Sequence, residues 1–188
     1  MRLYRVIAWR DGAGVDEPGH PLHVDVSRQG GGRADNPSHY EALYVSETPQ
    51  GAVGEVFGDL AAWSAAMFVV PWLPEGGRAL ATFEADPPTE VLDLDDPHTL
   101  VAMNAKLTDV IGRDRERTRE LALSVWMQGA WEGLRWWSWW RPAWRNQVLW
   151  RSVSDSPPWR FSLLSVEPLD LDHAAVRIAA HVLRRRLE

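Results

Sequence analysis

Glu41-Ala42-Leu43-Tyr44-Val45-Ser46-Glu47-Thr48-Pro49-Gln50-Gly51-Ala52-Val53-Gly54-Glu55-Val56-Phe57 reads as a short strand that runs directly into a helix. Residues 41–46 supply the strand. Thr48 is the expected cap and Pro49 sits in the first turn, where its missing N–H costs nothing. The helix is predicted over about 49–66, with Ala52, Val53, Val56, Phe57 and Leu60 on its apolar face and Glu55 half buried at the edge of that face.

Outward from this stretch, residues 2–9 alternate and are rich in β-branched and aromatic side chains, which predicts a strand. A long Gly/Pro/His/Asp-rich connection then runs from Asp11 to about Gly32, long enough to be functional. Further strands are predicted at 78–85 and 90–94, separated by a turn at Asp86-Pro87-Pro88. Asp95-Asp96-Pro97 opens a helix to about Ile111, and a second helix covers about 115–127. Three strands follow at about 133–140, 147–153 and 160–166, and a helix at about 172–187. Helices and strands mix without regular alternation, so the class is α+β. At 188 residues the chain fits a single domain over 1–188, with a core over about 2–166 closed by the C-terminal helix.

Composition excludes several functions. With no cysteine the chain forms no disulfide and offers no thiolate to a metal. A formal charge of -6 and a pI near 5.5 argue against direct nucleic-acid binding. The polar start lacks a signal-peptide core, and no apolar run approaches the roughly 18 residues of a membrane span, so a cytoplasmic location with no membrane attachment is expected. The basic run Arg184-Arg185-Arg186 is expected to complement the dipole at a helix end. The six histidines show no HExxH pattern, so no metal is expected, and no Walker, GxGxxG or GxSxG motif occurs.

Four polar residues sit among apolar or glycine-rich neighbours: Arg33 after Gly30-Gly31-Gly32, Tyr44, Glu55, and Ser138 within Trp136-Trp137-Ser138-Trp139-Trp140. Glycines before an arginine allow close backbone approach, and a guanidinium grips phosphate with paired bonds. Taken singly, Arg33 reads as a surface turn, Tyr44 as a strand aromatic and Glu55 as a solvated helix residue. A lone glutamate does not make a two-carboxylate glycosidase. Of the twelve tryptophans, eight fall between Trp126 and Trp150. On a strand, period two places Ser138 on the face of Trp136 and Trp140, a pocket floor whose walls suit nicotinamide or adenine. Core filling accounts for most of the remaining indoles.

Taken in order, Leu3-Tyr4-Arg5-Val6, Gly31-Gly32-Arg33, Leu43-Tyr44-Val45-Ser46, Ala52-Val53-Gly54-Glu55-Val56, Val91-Leu92-Asp93-Leu94, Gly133-Leu134-Arg135-Trp136-Trp137-Ser138 and Asn146-Gln147-Val148-Leu149-Trp150 resemble the RES domain. This is a bacterial toxin family named for an arginine, a glutamate and a serine, and related in fold to ADP-ribosyltransferase toxins. The resemblance covers most of the chain. It implies a mixed, mainly antiparallel sheet split around a cleft for NAD, which is the substrate, with no further cofactor.

The resemblance further implies cleavage of the nicotinamide–ribose bond by a glycohydrolase or phosphorylase. Arg5 and Arg33 would hold pyrophosphate or ribose oxygens, Tyr44 would orient nicotinamide, Glu55 would be the catalytic carboxylate, and Ser138 with Trp136 would line the same cleft. A helix-turn-helix antitoxin is the implied partner. The chain departs from the family in carrying Ala34 and Asp35 where an aromatic and an asparagine are usual, with Asn36 one place later. An altered pocket wall and an acid competing for Arg33 are therefore expected. Two other readings are mono-ADP-ribosylation of a protein and a noncatalytic tryptophan-rich binding module. The abundance of tryptophan suits a homodimer interface as well as a large core.

Overall fold

The computed structural model describes residues 1–86, 88–112, 114–154 and 158–188. Along the chain run β1 (Arg2–Trp9), β2 (Tyr40–Ser46), α1 (Pro49–Phe57), β3 (Ala62–Trp63), β4 (Gly77–Glu84) and β5 (Val91–Asp93). After these come α2 (Pro97–Ala102), α3 (Leu107–Ile111), α4 (Arg115–Trp126), β6 (Gly133–Trp137), β7 (Arg145–Ser152), β8 (Ser162–Pro168), α5 (Ala174–Leu183) and β9 (Arg186–Leu187). The fold is α+β, with a seven-stranded mixed sheet in the order β5-β6-β7-β2-β1-β4-β8. Strand β5 runs parallel to β6, whereas β6/β7, β1/β2, β1/β4 and β4/β8 are antiparallel.

The chain forms two units. The first comprises residues 1–23, 46–85 and 161–188. Its framework is β1 paired along its whole length with β4, from Arg2 opposite Glu84 to Trp9 opposite Gly77, with β8 on the other side of β4. Alternation along β1 and the small residues Ala79 and Ala81 on β4 allow α1 to pack on the strands, and α5 packs on α1. Phe57, Trp63 and Phe68 meet edge to face at 6.2 and 5.7 Å between centroids from Phe57, an arrangement that suits aromatic quadrupoles.

The second unit comprises residues 24–45 and 86–160. Its core gathers Tyr40, Val110, Ala122, Val125, Val148 and Trp150, from strands β2 and β7 and helices α3 and α4. Tyr40, Trp126 and Trp150 form a closed trio with centroid separations of 5.0, 5.2 and 5.9 Å.

Three predicted elements are longer than those formed. Helix α1 stops at Phe57 rather than continuing to 66, because the Trp63 indole takes the Phe57 carbonyl and Arg185 takes that of Gly58. Val56 and Leu60, both expected on the apolar face, are exposed. The helix expected over 95–111 is two helices, α2 and α3. Ala105 N–H returns to the Leu100 carbonyl and Asn104 N–H to that of Val101, with Asn104 left-handed at φ 50, a Schellman stop in which asparagine is the usual substitute for glycine. The strand expected through Trp140 ends at Trp137. The turn expected at Asp86-Pro87-Pro88 includes Pro87, which lies outside the described residues.

Candidate functional site

In the second unit, Asp35 organises the glycine loop. Its Oδ2 accepts from the N–H groups of Gly30 (2.8 Å) and Gly32 (2.6 Å), and its Oδ1 accepts from the Tyr44 hydroxyl (2.7 Å). The Tyr44 oxygen in turn accepts from Ala34 N–H at 2.9 Å. A side chain at position 32 would bring its Cβ within 2.5 Å of the Tyr44 hydroxyl and 2.6 Å of Asp35 Oδ1, so only glycine fits there. Gly30 adopts φ 131, open to glycine alone. The two glycines thus let backbone amides converge on a carboxylate that belongs to the chain itself.

Arg33 is half buried, and its Nη1 donates to the carbonyls of Val110 and Gly112 (3.0 Å for the latter). A guanidinium at the end of α3 satisfies carbonyls that no helical N–H reaches and complements the negative dipole end. The expected competition between Asp35 and Arg33 is replaced by a division of labour: Asp35 turns to the loop and Tyr44, and Arg33 turns to α3. Asn36 adds a third tie, with its Nδ2 donating to the Tyr40 hydroxyl (2.8 Å) and to the Arg119 carbonyl (3.1 Å). Tyr40 then donates to the Ala34 carbonyl at 2.6 Å, and the Arg119 guanidinium donates to the Gly30 carbonyl. The sequence reading missed Tyr40 and Arg119. The tyrosine lies one residue before the quoted strand, and the arginine's partner is a backbone oxygen that no motif records.

Burial pushes the Tyr44 hydroxyl well above the ordinary tyrosine range, and the neighbouring Asp35 charge adds to the shift. It is therefore a neutral hydrogen-bonding group at neutral pH. Its ring meets Trp136 edge on at 6.3 Å and 85°. Arg33, Ala34, Leu94, Val110, Leu134 and Trp136 are among the residues lining a cavity of about 10 Å³, room for about one water. Ser138 is buried just beyond β6, where its N–H donates to the Trp144 carbonyl (2.7 Å) and its hydroxyl accepts from Trp140 N–H (3.0 Å). This local turn replaces the strand geometry expected there.

In the first unit, Arg5 lies on β1 opposite Ala81, half buried, with Nη1 donating to the Pro21 carbonyl at 3.1 Å. Burial lowers its pKa to about 10. Glu55 lies on α1, where Thr48 Oγ1 caps the first turn by accepting from Gly51 N–H at 3.2 Å. Gly51, Ala52, Val53, Gly54 and Phe57 are buried, whereas Glu55 is exposed rather than half buried. Among the described residues no group of three or more His, Asp and Glu stands where a metal ion would bind, and no helix is long and apolar enough to cross a membrane.

The topology and this loop define an α+β protein in which an aspartate and a tyrosine fix the glycine-rich loop and the Arg33 guanidinium binds the end of α3. The chain belongs to the RES domain family, which matches residues 2–171. Comparison with curated proteins finds no match. Among solved structures, the fold is similar to that of a chain in the crystal structure of the M. tuberculosis MbcT–MbcA toxin–antitoxin complex. The two share 18% identity and a TM-score of 0.66, over 97% of this chain and 88% of the other.

Proposed function

We propose that this protein is an NAD-consuming toxin that cleaves the nicotinamide–ribose bond as a glycohydrolase or phosphorylase, and that an antitoxin of helix-turn-helix type holds it silent. Membership of the RES family over residues 2–171 carries this reading, and likeness to a chain of a toxin–antitoxin complex supports the partner. Glu55 is the catalytic carboxylate in this proposal. It is an exposed acid in a helix whose positions Gly51, Ala52, Val53, Gly54 and Phe57 are buried, so it stands at the surface on a fixed backbone.

The chemistry assigns each residue a task. As the glycosidic bond breaks, its electron pair leaves with the nicotinamide nitrogen and positive charge develops on the ribose, as in glycoside hydrolysis. The Glu55 anion stabilises that charge, and water or phosphate adds to the ribose carbon. Arg5 and Arg33 bind the pyrophosphate and ribose oxygens. The Tyr44 ring orients nicotinamide while its hydroxyl keeps the loop of Arg33 in place, and Trp136 and Ser138 shape the wall beside it.

The test is incubation of purified protein with NAD, with and without phosphate and a protein acceptor, following nicotinamide and the ADP-ribose product by chromatography. Nicotinamide release is expected, with ADP-ribose as the product in water or ADP-ribose phosphate when phosphate is the acceptor. Labelled acceptor protein would replace this reading with protein ADP-ribosylation. Folded protein that releases no nicotinamide would leave the noncatalytic binding module.

A further inference from the structure

We infer that the C-terminal segment is a brace for the helix that carries Glu55, and that Arg185 is a positioning residue for that carboxylate. The catalytic half of this inference rests on the role proposed for Glu55. Helix α1 is only nine residues long and Glu55 lies in its last turn. A carboxylate there opposes the negative end of the helix dipole, and the last carbonyls of any helix lack intrahelical donors. Helix α1 has no basic residue of its own in that turn.

The missing groups come from farther along the chain. The Arg185 guanidinium donates to the Gly58 carbonyl at 2.6 Å, and the Trp63 indole N–H donates to the Phe57 carbonyl at 3.0 Å. Trp63 is fully buried and pairs with Leu187 in the two-stranded parallel ladder of β3 and β9, and Glu188 N–H donates to the Trp63 carbonyl at 2.8 Å. The end of α1 is thus clamped by a cation and an indole that the C-terminal residues hold together.

The course of the chain makes this clamp possible. Helix α5 packs on α1, and its buried positions Ala175, Ala179 and Ala180 are small enough for close approach. Its end is a Schellman turn: Arg185 N–H reaches the Ala180 carbonyl at 2.8 Å and Arg184 N–H that of His181 at 3.2 Å, with Arg184 left-handed at φ 55. The left-handed residue redirects the backbone so that Arg185 meets α1 and Arg186–Leu187 meets β3. All of these C-terminal residues lie beyond residue 171, where the RES match ends. The C-terminal part of the brace is built from chain outside the matched stretch, yet it acts on the helix that bears Glu55.

The test compares the full chain with Arg185→Ala and Arg185→Lys by two independent readouts. In NMR, Arg185→Ala is expected to shift the Glu55 amide and carboxyl carbon resonances and to speed amide exchange at Val53–Gly58, with Arg185→Lys closer to the parent because it keeps a cationic donor. In kinetics, kcat for nicotinamide release is expected to fall about tenfold with KM changed less than about twofold, the pattern of a misplaced catalytic group. Unchanged Glu55 resonances and exchange in folded Arg185→Ala overturn the inference, as does an unchanged kcat. If Arg185→Ala does not fold, Arg185→Gln, which removes the cation and keeps an amide donor, is read the same way. A parent that releases no nicotinamide sinks the proposed function instead, and the NMR arm then decides the brace alone.

Discussion

Asp35 and Glu55 are both carboxylates set among glycine and small apolar residues, and the chain uses them in opposite ways. Asp35 is 6% exposed and accepts from two backbone amides and a tyrosine. Glu55 is exposed on a helix whose other positions around it are largely buried. An acid in apolar surroundings is therefore not by itself a sign of chemistry. The distinction visible here is burial: the Asp35 oxygens are enclosed by loop amides and a tyrosine, whereas Glu55 stands at an exposed position.

Several changes would break or sharpen that contrast. Glu55→Gln has the largest expected effect on activity, a fall in nicotinamide release of about 100-fold or more, with stability within about 0.5 kcal/mol of the parent, as for other exposed positions. Parent-like rates would reassign the carboxylate. Asp35→Asn has the reverse profile. Its amide cannot accept from Gly30, Gly32 and Tyr44 together, so urea unfolding should show a loss of about 2–3 kcal/mol.

Tyr44→Phe leaves Ala34 N–H and Asp35 each short of a partner, for an expected loss of about 1–2 kcal/mol in the same assay. The smallest effect is in alkali. The folded state raises the Tyr44 pKa above the ordinary 10.0, so its contribution is whole below that value and is lost as pH rises toward the folded-state value. Urea midpoints should fall above pH 10, and fall less in Tyr44→Phe; equal decline in both would remove Tyr44 from the linkage. Tyr40, shifted upward by burial as well, contributes in the same direction.

Much of the sheet was legible because strand alternation is local: 2–9, 41–46 and 78–85 match β1, β2 and β4 within a residue or so. The cap of α1 was legible for the same reason, since Thr48 and Pro49 act on adjacent backbone. The ends of the helices were not. Phe57 and Gly58 stop α1 through Trp63 and Arg185, the second of which is remote in sequence, and Arg184 ends α5 by taking a left-handed conformation for which arginine carries no signal. The basic tail was expected to complement its own helix, yet Arg185 serves α1. At the candidate site the residues themselves stood out by mismatch with their neighbours, but the role of Asp35 did not. An aspartate after Gly-Gly-Arg-Ala reads as a competitor for the arginine until the loop's amides are seen to converge on it.

The trio of Tyr40, Trp126 and Trp150 also makes the second unit visible to light. Aromatic rings held 5.0 to 5.9 Å apart at fixed tilts couple their electronic transitions, and near-ultraviolet circular dichroism reports such fixed packing and vanishes when it loosens. Nine of the twelve tryptophans belong to this unit, and Trp9, Trp63 and Trp72 to the other. The near-ultraviolet spectrum is therefore weighted toward the unit that holds the Arg33 loop, so loosening of that loop's surroundings can be followed without any label.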